Sequence, residues 1–430
     1  MVEPRVSWEE PARRPIRADT RARRLAAPWL LPIEVPPIER GAILIGSGGR
    51  IEAVGPDAAV PRPSDVPSIE LENAVVLPGL INTHTHLELT GFEGQVPESD
   101  FPSWIRHLRQ VKTTRGPDDY VKAARRGLAD CYAAGVTTIA DTGDSGAVVR
   151  ALSEADGSGV VYQEVFGPDP SQLQDSLAQL QARVSQSQSL ATSRVKIGVS
   201  PHAPYTVSGP LFRAVAAWAK AEQLPIAVHL AESPAEVQFL LARTGPFAEA
   251  WMARGISLPP SEGRTPVGWL ADHEVLSERT LCIHAVQVDR KDIDLLAGSG
   301  AAVAHCPISN RVHGHGAAPL ASFLVAGVRV GLGTDSVVSV GQLDLLAEAR
   351  AAGELAPLPP DQLLGLCTLD GARALGLDSE TGSLAPGKWA DCTVIRLRAG
   401  TGTPAERVLA SLPSDVLLTY MGGREVYRAP

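Results

Sequence analysis

Eight short apolar runs, most of them followed by a helix-spaced stretch, leave this chain few architectures to choose from. They are VLPGLINTHTH (76–86), TTIADTG (137–143), VVYQEVFG (160–167), VKIGVSPHAP (195–204), PIAVHLAE (225–232), LCIHAV (281–286), AAVAHCP (301–307) and VRVGLGTDS (328–336). Between most of them lie Ala/Leu/Arg-rich segments such as YVKAARRGLADCYAAG (120–135) and PLFRAVAAWAKAEQ (210–223). Strand then helix, repeated in this way, predicts an α/β protein built on a (β/α)8 barrel of the TIM type. The runs are apolar almost throughout, as strands of a parallel sheet buried on both faces must be. The chain ends read differently. WLLPIEVPPIERGAILIGSGGRIEAVG (29–55), ADCTVIRL (390–397) and DVLLTYMGGREVYR (415–428) are β-rich and broken by Pro and Gly turns. They predict small antiparallel strands from both ends, assembled into one β-sandwich domain. The expected division is a mobile tail over 1–25, the first part of the sandwich over 26–78, the barrel over 79–379 and the rest of the sandwich over 380–430.

Charge and cysteines narrow the function classes. The net charge of −9 argues against a nucleic-acid partner held by neutralising phosphates. Cys131, Cys282, Cys306, Cys367 and Cys392 are scattered and never form C-x-x-C, so neither a disulfide framework nor a thiolate zinc site is expected. A reducing, cytoplasmic setting follows as the expectation. The Arg13-Arg14 and Arg23-Arg24 pairs sit ahead of an apolar run that Pro28 and Pro32 interrupt, which suits a tail better than an export signal. No run reaches the ~20 apolar residues of a membrane span.

In such barrels chemistry gathers at the C-terminal ends of the strands. His84 and His86 end the first run, His202 the fourth and His229 the fifth, with Glu232 just beyond; His284, His305 and Asp335 end the sixth, seventh and eighth. Residues i and i+2 of a strand share a face, so His84 and His86 can grip one cation, with His229 and Asp335 reaching it from across the mouth. Three imidazoles, a carboxylate and room for water describe a catalytic rather than a structural site. A divalent ion there lowers the pKa of bound water from 15.7 towards ~7. Asp335 is placed to take the water's proton, His284 to orient the water, and Glu232 to shuttle the proton onward without ligating the metal.

The motifs PGLINTHTHLE, SPHAPYTVS, HLAES, HCPISN, GLGTDS and ETGSLAPGKWADCTVI together resemble the amidohydrolase superfamily over roughly residues 28–428. They are most similar to its mononuclear deaminase branch, which includes cytosine, guanine and S-adenosylhomocysteine deaminases and s-triazine hydrolases. The resemblance implies ligands at His84, His86, His229 and Asp335, Glu232 as proton shuttle, His284 activating water, and His202 touching substrate. It implies one zinc or iron ion: binuclear relatives carry a bridging lysine at the end of the fourth strand, where this chain has Ser200-Pro201-His202, and Lys196 lies towards the opposite rim. His86-Leu87-Glu88 imitates half of the cytidine-deaminase signature, but no P-C-x-x-C follows. The relatives are usually dimers, so a homodimer is possible here.

HTHLEL, FPSWIRHL (101–108), EVFG and SPHAPYTVS further resemble the aminodeoxyfutalosine deaminases of menaquinone biosynthesis, which act on a 6-aminopurine nucleoside carrying a benzoate. Where S-adenosylhomocysteine deaminases show a lysine after the seventh strand, this chain has Asn310-Arg311-Val312-His313. Trp104, His305, Asn310 and Arg311 are therefore expected to contact substrate, with Arg311 or Arg106 meeting a carboxylate. The connection 242–266 is long enough to act as a lid or specificity element. The expectation is a small-molecule aminohydrolase in which hydroxide adds to C6 of an adenine-type ring. Guanine, cytosine, S-adenosylhomocysteine and triazine substrates, an imidazolone-opening cyclic-amide hydrolase, and last a non-catalytic scaffold stand as alternatives.

Overall fold

The runs that read as strands pair with one another in chain order. The structure, a computed structural model, describes residues 22–97, 99–259, 263–398 and 400–430. Strands β1 (Arg23–Leu30), β2 (Ile38–Ile45), β3 (Ile51–Pro56), β4 (Ser68–Glu70) and β5 (Ala74–Pro78) come first. The barrel follows with β6 (Leu80–Thr85), β7 (Val136–Gly143), β8 (Ser158–Val165), β9 (Val195–Pro201), β10 (Ile226–Leu230), β11 (Thr280–His284), β12 (Ala302–His305) and β13 (Arg329–Leu332). Neighbours from β6 to β13 are all parallel. Val160, Tyr162, Ala227, Leu281, Ile283, Ala302 and Ala304 belong to one buried cluster, in which small residues make room for Tyr162. The ring closes between its first and last strands: Thr85 bridges Asp335, and the amides of Thr334 and Asp335 donate to the His84 carbonyl at 3.1 and 3.0 Å. Asn82 Nδ2 adds a buried bond to Thr334 Oγ1 at 2.8 Å.

Strands β14 (Cys392–Arg396), β15 (Val416–Met421) and β16 (Arg424–Arg428) return to the first five. The sheet order is β16-β15-β14-β5-β1-β2-β3, with β4 on β1, and β14 lies antiparallel to β5 to join the two chain ends. Hydrogen bonding is continuous across this one sheet. The β1–β4 and β1–β5 pairs are parallel, where the hairpin pattern suggested antiparallel neighbours throughout. Gly422 and Gly423, at φ 55° and 70°, make the tight β15–β16 turn that side chains resist.

Of the expected tail, residues 1–21 lie outside the described residues. Its end is not tail at all. Arg23 and Arg24 pair with Ile45 and Leu44, and the buried Arg24 guanidinium meets Asp57 Oδ1 at 2.5 Å. A charge so desolvated stays in place because its partner is fixed. No helix among the described residues is long and apolar enough to cross a membrane.

The sheet is locked to the barrel by Asp391 of the PGKWAD segment. Its buried carboxylate takes Arg194 Nη2 at 2.6 and 2.8 Å, Thr381 Oγ1 at 3.0 Å and the Gly422 amide at 2.7 Å. Thr393 Oγ1 donates to the Gly135 carbonyl at 2.7 Å, just before β7. Arg194 precedes β9, so these contacts sit at the N-terminal ends of the strands, away from the rim where chemistry is expected. Asp391→Ala leaves the Arg194 guanidinium buried and unpaired, and is expected to cost about 3–5 kcal/mol. Urea unfolding followed by circular dichroism reads this directly; a loss under about 1 kcal/mol would show that the lock is dispensable.

Candidate active site

His84 lies in β6 and His86 one residue past its end, and both aim inward. His86 Nε2 is 3.3 Å from His229 Nε2, and Asp335 Oδ1 is 3.5 and 3.6 Å from Nε2 of His84 and His86. One nitrogen from each of His84, His86 and His229 falls within 4.8 Å of the others. Burial holds all three rings below the ordinary imidazole pKa, so they present lone pairs rather than charge. Both ring nitrogens of His84 are sealed from solvent with no hydrogen-bond partner. Converging buried lone pairs repel one another unless a cation sits among them. Outer contacts hold two of the rings. His229 Nδ1 lies 3.3 Å from the His202 carbonyl, which leaves its Nε2 free to ligate, and Thr142 Oγ1 lies 3.3 and 3.5 Å from Nδ1 and Nε2 of His86. Asp335 is held by Ser309 Oγ at 2.6 Å and the Ser336 amide at 2.7 Å. Three imidazole nitrogens and one carboxylate fit a single divalent ion such as zinc or iron. Lys196 turns outward at the far end of β9 and bonds the Gly376 carbonyl at 3.1 Å, so it offers no bridge for a second.

Beside this cluster stands a second group. Glu232 Oε1 lies 3.5 Å from His284 Nε2 and 3.3 Å from His315 Nε2, all three buried. His284 Nδ1 meets Asn310 Oδ1 at 2.9 Å, which fixes the ring and leaves Nε2 facing Glu232. The backbone that delivers these groups is strained. Ala231, His284, Ala285 and Asp335 have φ of 50°, 73°, 46° and 61°, in the region L-residues avoid. Buried Glu236 holds the first of these turns by accepting from the amides of Ala231 and Glu232, each at 2.9 Å. Burial pushes the Glu236 carboxyl up to about 8.

A cavity of about 330 Å³ opens above both groups. One wall is the Phe101–Lys112 helix, whose Phe101, Trp104, Ile105, Leu108 and Lys112 line the cavity at helical spacing. His202 lies opposite, its Nδ1 2.9 Å from Thr206 Oγ1, and burial takes the ring down to about 3. Trp104 and His202 both line the cavity. Four expected contacts do not line the cavity. Asn310 is used up in orienting His284. His305 is enclosed within the barrel, both ring nitrogens buried and unpartnered. Arg311 points to the surface, 3.3 Å from Glu354, and Arg106 turns back on Ser103 at 2.7 Å; the guanidinium at the cavity is that of Arg109. The 242–266 connection contains the helix Pro246–Met252, whose Phe247 stacks on cavity-lining Tyr205 at 4.0 Å; residues 260–262 lie outside the described residues. Sequence reading missed His315, Ser309 and Glu164. Glu164 had a signal: it alternates with Tyr162 in VVYQEVFG, so it faces the barrel interior.

The fold and the site are those of a barrel suited to holding one divalent ion beside a buried acid, the arrangement of a metal-dependent hydrolase. The sequence pattern of the Amidohydrolase family matches residues 75–426, and the chain belongs to that family. It is 30% identical over 407 residues to a 5-methylthioadenosine/S-adenosylhomocysteine deaminase of Symbiobacterium thermophilum, covering 90% of this chain and 89% of the relative. It is 31% identical over 353 residues to an aminodeoxyfutalosine deaminase of Deinococcus radiodurans, covering 78% of this chain and 81% of that one. In fold it is similar to the crystal structure of an adenosine deaminase from Xanthomonas campestris with bound zinc (TM-score 0.82, 24% identity, 94% and 92% of the two chains covered).

Proposed function

We propose that the protein is a hydrolytic deaminase of adenine-type nucleosides, adenosine-like or aminodeoxyfutalosine-like, releasing ammonia from C6. The observation that carries this reading is Glu232. It is a buried acid beside the ligand cluster but outside it, set between two imidazoles and facing a cavity with an aromatic wall. An ion held by His84, His86, His229 and Asp335 supplies the Lewis acidity that makes water a nucleophile near neutral pH. The chain's own side chains do the rest. Asp335 takes one proton of the attacking water while Ser309 and Ser336 keep its carboxylate aimed. Glu232 takes the other water proton and delivers it to the adjacent ring nitrogen; the proton held on Asp335 then passes to the amino group, which leaves as ammonia when the C6–N bond breaks. The sum is water plus aminopurine giving oxopurine plus ammonia. His284, fixed by Asn310, orients the water, and His202 with Trp104 and Phe101 confines the base. Arg109, on the cavity wall, is the group to meet a carboxylate on the nucleoside's far end.

The net charge of −9 suits a small-molecule enzyme that works without nucleic acid, and five free, buried cysteines suit a reducing cytoplasm. The test is ammonia release by the metal-loaded protein from adenosine, 5′-deoxyadenosine, guanine and an s-triazine. Purine nucleosides should be turned over fastest. Turnover of none of them, with hydrolysis of a cyclic amide instead, overturns the reading.

A further inference from the structure

Among the buried acids that the mechanism leaves without work, one lines the cavity with an unpartnered oxygen. Glu164, near the end of β8, is 4% exposed and lines the cavity. Its Oε1 is sealed from solvent and has no hydrogen-bond partner. A carboxylate oxygen of Glu164 lies within 4.8 Å of ring nitrogens of both His202 and His229. The nearby cations are committed elsewhere: Lys112 Nζ holds Glu88 at 2.9 Å and Asp144 at 2.8 Å, and Arg183 Nη2 donates to the main-chain carbonyl of Glu164 at 2.6 Å. Leaving a buried acceptor unmade is costly, and such an atom in a binding cavity is usually satisfied when a ligand arrives.

What donor does an adenine-type nucleoside have to offer it? The base carries only the 6-amino group, which leaves and is served by Asp335. Its ring nitrogens are acceptors. The remaining O–H donors are on the sugar. We propose that Glu164 is a specificity residue that accepts hydrogen bonds from the ribose hydroxyls, so that the protein is a ribonucleoside deaminase rather than a general aminopurine hydrolase. The inference rests on the nucleoside reading above and adds the substrate's sugar to it. Either protonation state serves, because a carboxyl oxygen accepts an O–H whether or not its partner oxygen holds a proton.

The test compares kcat/KM for adenosine and 2′,3′-dideoxyadenosine, with calorimetric binding of purine riboside as a second readout. The wild-type protein should prefer the ribonucleoside by about 10- to 100-fold, the range set by leaving one buried polar group unpaired. In Glu164→Leu that preference should collapse towards 1, at unchanged metal content, and purine riboside should bind correspondingly more weakly. Glu164→Gln keeps an acceptor oxygen and should retain part of the preference, which separates lost recognition from lost folding. Equal losses on both substrates would place Glu164 against the base and overturn the proposal, as would a wild-type protein indifferent to the hydroxyls. If the wild-type protein deaminates no nucleoside at all, the reading beneath the proposal fails and takes it along.

Discussion

Glu232→Gln should bind its metal normally and lose at least ~10²-fold in kcat. The carboxamide has nearly the shape of the carboxylate, and the backbone beneath it is held independently by Glu236, so the side chain should stay where it is. What it can no longer do is take up a proton and hand it on. Glu232 faces His284 and His315 rather than the three converging imidazoles, so metal content by mass spectrometry should match wild type. A variant that keeps more than a tenth of wild-type kcat would remove Glu232 from the proton path. One that loses its metal would make it a ligand.

His86→Ala attacks the other half of the site. Removing one of three imidazoles leaves His84 and His229 facing Asp335 with a gap, and ion content should fall well below one per chain along with activity. Heat stability gives an independent reading. A ligand present at a hundred times its dissociation constant stabilises by about 2.7 kcal/mol, so chelation should lower the Tm of the wild-type protein. It should barely move that of His86→Ala. An active, metal-free preparation of either protein would refute the site.

Much of this was legible before the structure, for stated physical reasons. All eight barrel strands were readable because a parallel sheet buried on both faces must be written in uninterrupted apolar runs. His84 and His86 were readable because strand geometry puts i and i+2 on one side. The failures also have causes. Arg24 looked like tail because nothing local shows that Asp57, thirty-three residues on, will bury it. The parallel β1–β5 pair escaped notice because the pattern of a short strand does not say which neighbour it will find. Arg311 and Arg106 were chosen for their chemistry without asking which way their helices face. The 101/104/105/108 stripe sets Arg109 nearer the cavity and Arg106 farther round. His315 was overlooked because GHG reads as loop, and only the fold brings it to Glu232.

The barrel's seam has a consequence for how the molecule is assembled. His84 and Asp335 stand on the first and last staves, some two hundred and fifty residues apart, and their backbones are already bonded across the join. An ion clasped between them works as a buckle on a hoop. The grip lacks its carboxylate until the last stave arrives, and once complete, the hoop resists springing open. Fragments that end before β13, however well their own strands pair, should therefore hold metal poorly, and the last step of folding should be the one that the ion's concentration speeds or secures.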